Sequence, residues 1–272
     1  GWLMAERERR AGGMIFFYQT NGAGLLPNAL QCAWKFTRDI AVISDQRYPS
    51  DVPYVWVPLN RVWQDFLRVD DVYQHNSEND ALFERECIRR WFAARRALEL
   101  MKLPRAFFAD SDCLVCCDPM KQPHVLPDTT LALCSETKDS MVTAGMSVQS
   151  VDSLRMFEDF ILSEYFSNPL FSDGGKNDMD AWNHVARGWG ERAGFPWVRL
   201  TEPKDGVVFD HHLMVTQGYV VDERYGCKYL EFPEGIPHAR LLNGNRVRMA
   251  GLHCWGKTKP MMGSIQKLIR FA

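Results

Sequence analysis

Residues 105–115 read RAFFADSDCLV, an apolar run that stops at two carboxylates one residue apart, Asp110 and Asp112. Ala106, Phe107, Phe108 and Ala109 have the pattern of a strand buried on both faces, as in a mostly parallel sheet covered by helices. In such sheets ligands collect at the carboxyl ends of the strands, so both aspartates are expected at that mouth. Two hard oxygen donors at this spacing can share one divalent cation, or hold it directly with one and through water with the other. Asp and Ser also end strands in ordinary turns, so a plain Asp-Ser-Asp turn explains these residues equally well.

The chain has 272 residues and 46% hydrophobic content, enough to bury a large core as one domain or two closely joined halves. A formal net charge of -2 leaves no broad basic field of the kind that draws nucleic acid or anionic lipid. No apolar segment approaches the roughly 20 residues that span a bilayer, and residues 1–10 lack the apolar run of a signal peptide. A cytoplasmic location without a membrane span is expected, and nothing in the pattern sets the oligomeric state.

Eight cysteines are scattered rather than regularly paired. Cys113, Cys116 and Cys117 resemble half a zinc site, but no second pair at similar spacing completes it, and core packing of reduced thiols is the expectation. The chain has no Asn-x-Ser/Thr acceptor, in keeping with a reducing compartment.

In chain order, 14–18 (MIFFY) reads as a strand, 19–24 as a small polar loop and 25–36 as a helix with Pro27 near its start. Residues 40–44 form a second strand ending at Asp45, which makes the opening a βαβ unit of parallel sheet. Thr20, Asn21 and Asp45 then fall at the sheet edge where a nucleotide base or ribose lies in a doubly wound fold. The Gly22-Ala23-Gly24 fragment is too short for a dinucleotide fingerprint and reads equally as a turn. Residues 54–59, bounded by Pro53 and Pro58, suit an edge strand. From 80 to 101 a long helix places Leu82, Phe83, Cys87, Trp91, Ala94, Leu98 and Met101 near one face. Its Arg89, Arg90, Arg95 and Arg96 lie in solvent unless one or two, Arg90 among them, turn toward a diphosphate.

Beyond the acidic pair, 130–134 reads as a strand, 140–148 as a small-residue segment containing Gly145, and 153–166 as an amphipathic helix with a Ser or Asp cap. Residues 172–185 form a loop leading to a helix that starts with Asp178 and Asp180. The helix dipole favours carboxylates there for structural reasons alone. Short strands are expected at 218–221 and 228–232, and the chain closes on 249–260, MAGLHCWGKTKP.

Three separated features converge: Asp110-x-Asp112, Asp178-x-Asp180, and a terminal His-x-x-Gly-x-x-Lys-Pro formed by His253, Gly256, Lys259 and Pro260. Over most of its length the chain resembles nucleotide-sugar glycosyltransferases of the GT-A fold. Order and spacing look most like the retaining glycosyltransferase family 8, which contains glycogenin and bacterial lipooligosaccharide galactosyltransferases. The resemblance implies an α/β, Rossmann-like single domain with a mainly parallel central sheet. Its nucleotide-sugar-binding half would be 14–115, and its acceptor half with the closing metal-binding loop 116–272.

It further implies that Asp110, Asp112 and His253 hold Mn²⁺, or Mg²⁺, against the diphosphate of a UDP-linked donor. Ser111, Gly256 and Lys259 would lie beside that donor, with Lys259 on the phosphates. Asp178 and Asp180 would be the catalytic pair facing sugar and acceptor, with transfer to a glycan or other hydroxyl under retention. Two departures stand out: Met179 occupies the middle of Asp178-x-Asp180, where the family carries glutamine, and Met261 follows Lys259-Pro260, where tryptophan is usual. A sugar nucleotidyltransferase, or an inert glycan- or nucleotide-sugar-binding protein on the same fold, is the alternative. The first needs a basic glycine-rich loop that 20–24 lacks, and the second leaves clustered carboxylates without a cation.

Overall fold

A computed structural model describes residues 13–168, 171, 176–189 and 196–270. The charged opening at 1–12 and the Gly-Gly part of the expected 172–185 loop lie outside the described residues. The chain opens with β1 (Ile15–Gln19), α1 (Leu26–Trp34), β2 (Ile40–Ser44), β3 (Val55–Pro58), α2 (Phe66–Val72) and α3 (Ala81–Met101). Next come β4 (Arg105–Ala109), β5 (Cys113–Val115), β6 (Leu131–Ser135), β7 (Val142–Ser150), α4 (Val151–Phe160) and α5 (Asp178–His184). Short strands follow: β8 (Val198–Arg199), β9 (Val207–Phe209), β10 (Val221–Asp222), β11 (Cys227–Lys228), β12 (Leu230–Glu231) and β13 (His238–Arg240). The longer β14 (Arg246–His253) and α6 (Met262–Leu268) close the chain.

The central sheet has seven strands in the order β3-β2-β1-β4-β7-β6-β8. The pairs among β3, β2, β1 and β4 are parallel, β7 runs antiparallel to both neighbours, and β6 and β8 are parallel. This is the expected α/β architecture with a mainly parallel sheet, and β3 is its edge. Successive residues alternate between two cores. Phe17, Val42 and Phe107 face α1 and the second sheet, whereas Phe16, Ile43 and Phe108 face α3 and α4. Burial on both faces is why these strands read as unbroken apolar runs rather than as alternation.

The second sheet, β12-β13-β14-β5 with β9 also against β14, was not expected as a sheet, although its β12 falls within the strand expected at 228–232. It covers one face of the central sheet and carries the closing segment back to the mouth, with β5 directly after Asp112. All eight cysteines are free thiols, and all but Cys87 are buried, as core packing required. The side chain of Asp80 caps α3, accepting from the backbone N–H groups of Leu82 and Phe83, and a capping box of Ser150 and Ser153 starts α4. No helix among the described residues is long and apolar enough to cross a membrane.

The arginines of α3 depart from the solvated face expected of them. Arg89 pairs with Asp70 and Glu86, and Arg95 is half-buried and paired with Glu158, Glu99 and Asp65, while Arg96 keeps the more exposed position. The helix crosses the sheet under α2 and α4, so the side facing away from the strands is still covered by protein.

Candidate functional site

A cleft of about 700 Å³ opens where the carboxyl ends of β1 and β4 meet the end of β14. Asp110 leaves β4 in a tight turn: its N–H donates to the carbonyl of Gly145 at 2.7 Å, and its own carbonyl accepts from the N–H of Cys113 at 2.9 Å. The Asp-Ser-Asp segment is therefore a strand-ending turn and also part of the cleft wall. Gly145, on β7, is the floor beneath it. A methyl group there would sit 3.2 Å from Cε1 of His253 and 3.3 Å from Oδ2 of Asp110, so the missing side chain is what lets these two groups approach.

His253 reaches Asp112 through strand register. β14 runs antiparallel to β5 with His253 opposite Cys113, and the N–H of Cys254 donates to the carbonyl of Asp112 at 2.9 Å. The imidazole Nε2 lies 3.6 Å from Oδ1 of Asp112, and Nζ of Lys259 lies 3.1 Å from its Oδ2. Nδ1 of His253 is 2.8 Å from the carbonyl of His211. A carbonyl only accepts, so Nδ1 carries the proton and Nε2 is the nitrogen turned toward Asp112. A backbone partner on one ring nitrogen is the usual way a metal-binding histidine is oriented.

Of the expected ligand set, Asp112 and His253 come together as donors suited to a divalent cation, while Asp110 is held by Arg90 and falls outside their group. Among the described residues, Asp112, Cys113 and His253 place one ligand atom each within 4.8 Å of one another. Cys113 is the least suited of the three: burial pushes its thiol well above the ordinary value, and its Sγ donates to the carbonyl of Gly145. Burial likewise raises the carboxyl of Asp110, opposed by Arg90 and reinforced by Asp112. For His253, burial works against a charge, but the hydrogen bond and charge of Asp112, with Asp110 behind it, raise it overall. A positive charge between these groups, whether a proton or a cation, relieves the crowding of acceptors.

Arg90 enters the cleft from α3 and bridges two of the expected site residues. Its guanidinium donates to Oδ1 of Asp110 and, at 2.6 Å, to Oδ2 of Asp178, which also accepts from the indole N–H of Trp91 at 3.0 Å. Thr20, Asn21, Ser111, Asp178, Met179 and Lys259 all line the cleft.

Three expected residues do not line it. Asp180 accepts from the hydroxyl of Tyr165 at 2.9 Å and sits 3.5 Å from His184. Residues two apart on a helix point to nearly opposite sides, so Asp178 and Asp180 cannot both face one cleft from α5. Asp45 is exposed beyond β2 and acts one step back, accepting from the hydroxyl of Tyr48, which itself accepts from the N–H of Gly22 and so steadies the 20–24 loop. Gly256 adopts φ +57 in the turn that presents Lys259, a conformation that costs glycine little.

His211 and His212 are cleft residues that the sequence expectations missed; the one available signal was their adjacency. His212 accepts the N–H of Met214 on Nδ1, so its Nε2 carries the proton when neutral. Burial brings His211 down to about 4 and also lowers His212. The backbone of this dipeptide is held from below by a buried ion pair. Lys228 pairs with Asp210 and donates to the carbonyl of His212 at 2.8 Å, and Oδ2 of Asp210 accepts from the N–H of His253 at 3.3 Å. Replacing Lys228 with Met leaves the Asp210 charge buried alone and is expected to cost about 3–5 kcal/mol, measured by denaturant unfolding. A loss under about 1 kcal/mol would mean that the pair supports nothing.

No protein-family model matches the chain, and no curated protein matches it. Among solved structures, mouse xyloside xylosyltransferase 1 in its apo form aligns with a TM-score of 0.48 at 9% identity, covering 72% of this chain and 87% of that one. A glycosyltransferase involved in the glycosylation of the major capsid of PBCV-1 aligns with a TM-score of 0.46 at 10% identity, covering 94% and 100%. The PaToxG glycosyltransferase gives 0.42 at 10% identity, covering 71% and 79%. Likenesses at this level assign no activity to the chain.

Proposed function

We propose that this chain is a metal-dependent glycosyltransferase of the GT-A type, moving a sugar from a nucleotide-diphosphate sugar, with UDP as the nucleotide, to a hydroxyl of a glycan or other acceptor. The observation that carries the proposal is the meeting of Asp112, just beyond β4, with His253 and Lys259, more than 140 positions later, together with the approach of Asp110 and His253 over the bare backbone of Gly145. Asp110, Asp112 and His253 would hold the cation, Mn²⁺ by the mixture of oxygen and imidazole donors, with Mg²⁺ as the alternative. When bound there, the cation neutralises charge building on the departing diphosphate.

The chain's own residues divide the remaining work. Lys259, half exposed beside Asp112, is free to swing onto a phosphate oxygen and add a second positive charge where the leaving group develops. Thr20, Asn21 and Ser111 would line the nucleotide, with Asp45 steadying the 20–24 loop through Tyr48. Asp178, clamped by Arg90 and Trp91, presents a fixed carboxylate edge to a sugar hydroxyl. Asp180 supports that edge from behind through Tyr165 and Asn177.

Retention is the favoured outcome. Inversion needs a general base on the face opposite the leaving group, within hydrogen-bond reach of the acceptor hydroxyl. Oδ2 of Asp178 is already taken by the Arg90 guanidinium and the Trp91 indole rather than left open to an acceptor hydroxyl, and Met179 brings no base. With retention, a leaving phosphate oxygen can take the acceptor proton. A screen of UDP-sugars with Mn²⁺, reading hydrolysis or transfer, is expected to find at least one donor, with product anomeric configuration by proton NMR coupling matching that donor. An inverted product would reject retention, and no Mn²⁺-dependent nucleotide binding or turnover would reject the transferase assignment.

A further inference from the structure

The first turn of α3 is inside out. Its Leu82 and Phe83 are 63% and 60% exposed, whereas Glu84, next in line, is 2% exposed and is held by Ser77 and Asn79. The sequence pattern had placed both apolar residues on the buried face. Helical geometry explains the reversal, because a first turn whose carboxylate points inward must point the two preceding side chains elsewhere. Both line the cleft, and so do two other exposed apolar residues from separate parts of the chain, Met141 just before β7 at 47% and Trp255 just after β14 at 53%. Met179 lies on the same wall. Large apolar side chains gathered from four segments at one opening are unusual on a surface that serves no binding purpose.

The cleft lining thus mixes charged side chains with exposed apolar ones. Arg90, His253 and Lys259 suit a diphosphate; with the base and ribose assigned above to Thr20, Asn21 and Ser111, the rest of the donor offers little for Leu82, Phe83, Met141 and Trp255 to cover. Resting on the transferase assignment above, we propose that these four side chains dock the acceptor and that the acceptor carries its reacting hydroxyl next to an apolar aglycone. The occupant is a small amphipathic glycoside, whose sugar reaches Asp178 while its apolar group lies against Phe83 and Trp255. Aromatic side chains give such a group large contact area at low cost in rotamer freedom.

The test is calorimetry on the full chain, first with Mn²⁺ and UDP, then at saturating UDP with phenyl and methyl glycosides of glucose, galactose and mannose. At least one phenyl glycoside is expected to bind ten-fold or more tightly than its methyl counterpart. Leu82→Ser and Phe83→Ser, at exposed positions where the fold tolerates polarity, are each expected to cut that preference at least five-fold with UDP affinity unchanged. Equal affinity for both glycosides, or binding of neither, would overturn the proposal. So would serine variants that weaken UDP instead, since the apolar wall would then serve the nucleobase. Failure of UDP itself to bind, read in the first titration, would remove the transferase assignment beneath it.

Discussion

Replacing Asp112 with asparagine is expected to slow sugar transfer by about 10³-fold, the loss of roughly 4 kcal/mol of stabilisation of the leaving diphosphate. The same change is expected to weaken Mn²⁺-dependent nucleotide binding, because Asp112 pairs with both His253 and Lys259. Its effect on the fold is smaller and depends on pH. Without a cation, burial tends to raise the Asp112 carboxyl, but the hydrogen bond and charge of His253 and the Lys259 ammonium outweigh it and bring it down to about 2. A carboxyl depressed in the folded state adds stability that is complete above its unfolded value of about 4 and is lost as the pH falls through the folded one. The variant should therefore be less stable than the parent by about 2–3 kcal/mol at most at pH 6 to 8, with the two converging toward pH 2. Full activity in the variant, or outright unfolding at neutral pH, would show that Asp112 serves packing rather than charge.

The second large effect is expected at a residue with no side chain. Gly145 has an ordinary strand conformation, so alanine meets no backbone penalty. Its methyl group would press on Cε1 of His253 and Oδ2 of Asp110 at 3.2 and 3.3 Å, inside normal contact, and those groups must yield by a few tenths of an ångström. Crowding of this size costs a well-packed core about 1–3 kcal/mol. The damage to the site should be larger, about 10²-fold in turnover, since displaced ligands lose their geometry toward cation and leaving group together. Steady-state kinetics beside thermal unfolding separates the two. Alanine at Gly145 with unaltered kinetics would mean that Asp110 and His253 are not held together for function.

How much of this was legible in the sequence follows from how each residue is buried. The strands β1, β2 and β4 could be read nearly to the residue because both their faces are covered, which makes the signal a continuous apolar run ending in polar groups. The second sheet could not be assembled, since β9 and β13 are three residues long with no periodicity to read and only β12 falls within an expected strand. Asp110 and Asp112 announced the mouth of the sheet by their place after β4. His253 could be tied to them only by resemblance, because its approach depends on the register of β14 against β5. Asp180 was misplaced for a simpler reason: the two-residue spacing that lets Asp110 and Asp112 share a turn sends Asp178 and Asp180 to opposite sides of a helix. Leu82 and Phe83 obeyed the helical period in sequence, yet the buried hydrogen bonds of Glu84 decided which way that turn faces.

The central claim is that His253, with the two aspartates, binds one cation beside the nucleotide. Pulsed electron paramagnetic resonance on the Mn²⁺–UDP complex of protein labelled with ¹⁵N-histidine tests it without reference to turnover. One directly bound imidazole nitrogen is predicted, and its signal should vanish in His253→Gln while His211 and His212 remain. Absence of any nitrogen coupling, or a coupling that survives His253→Gln, would contradict it.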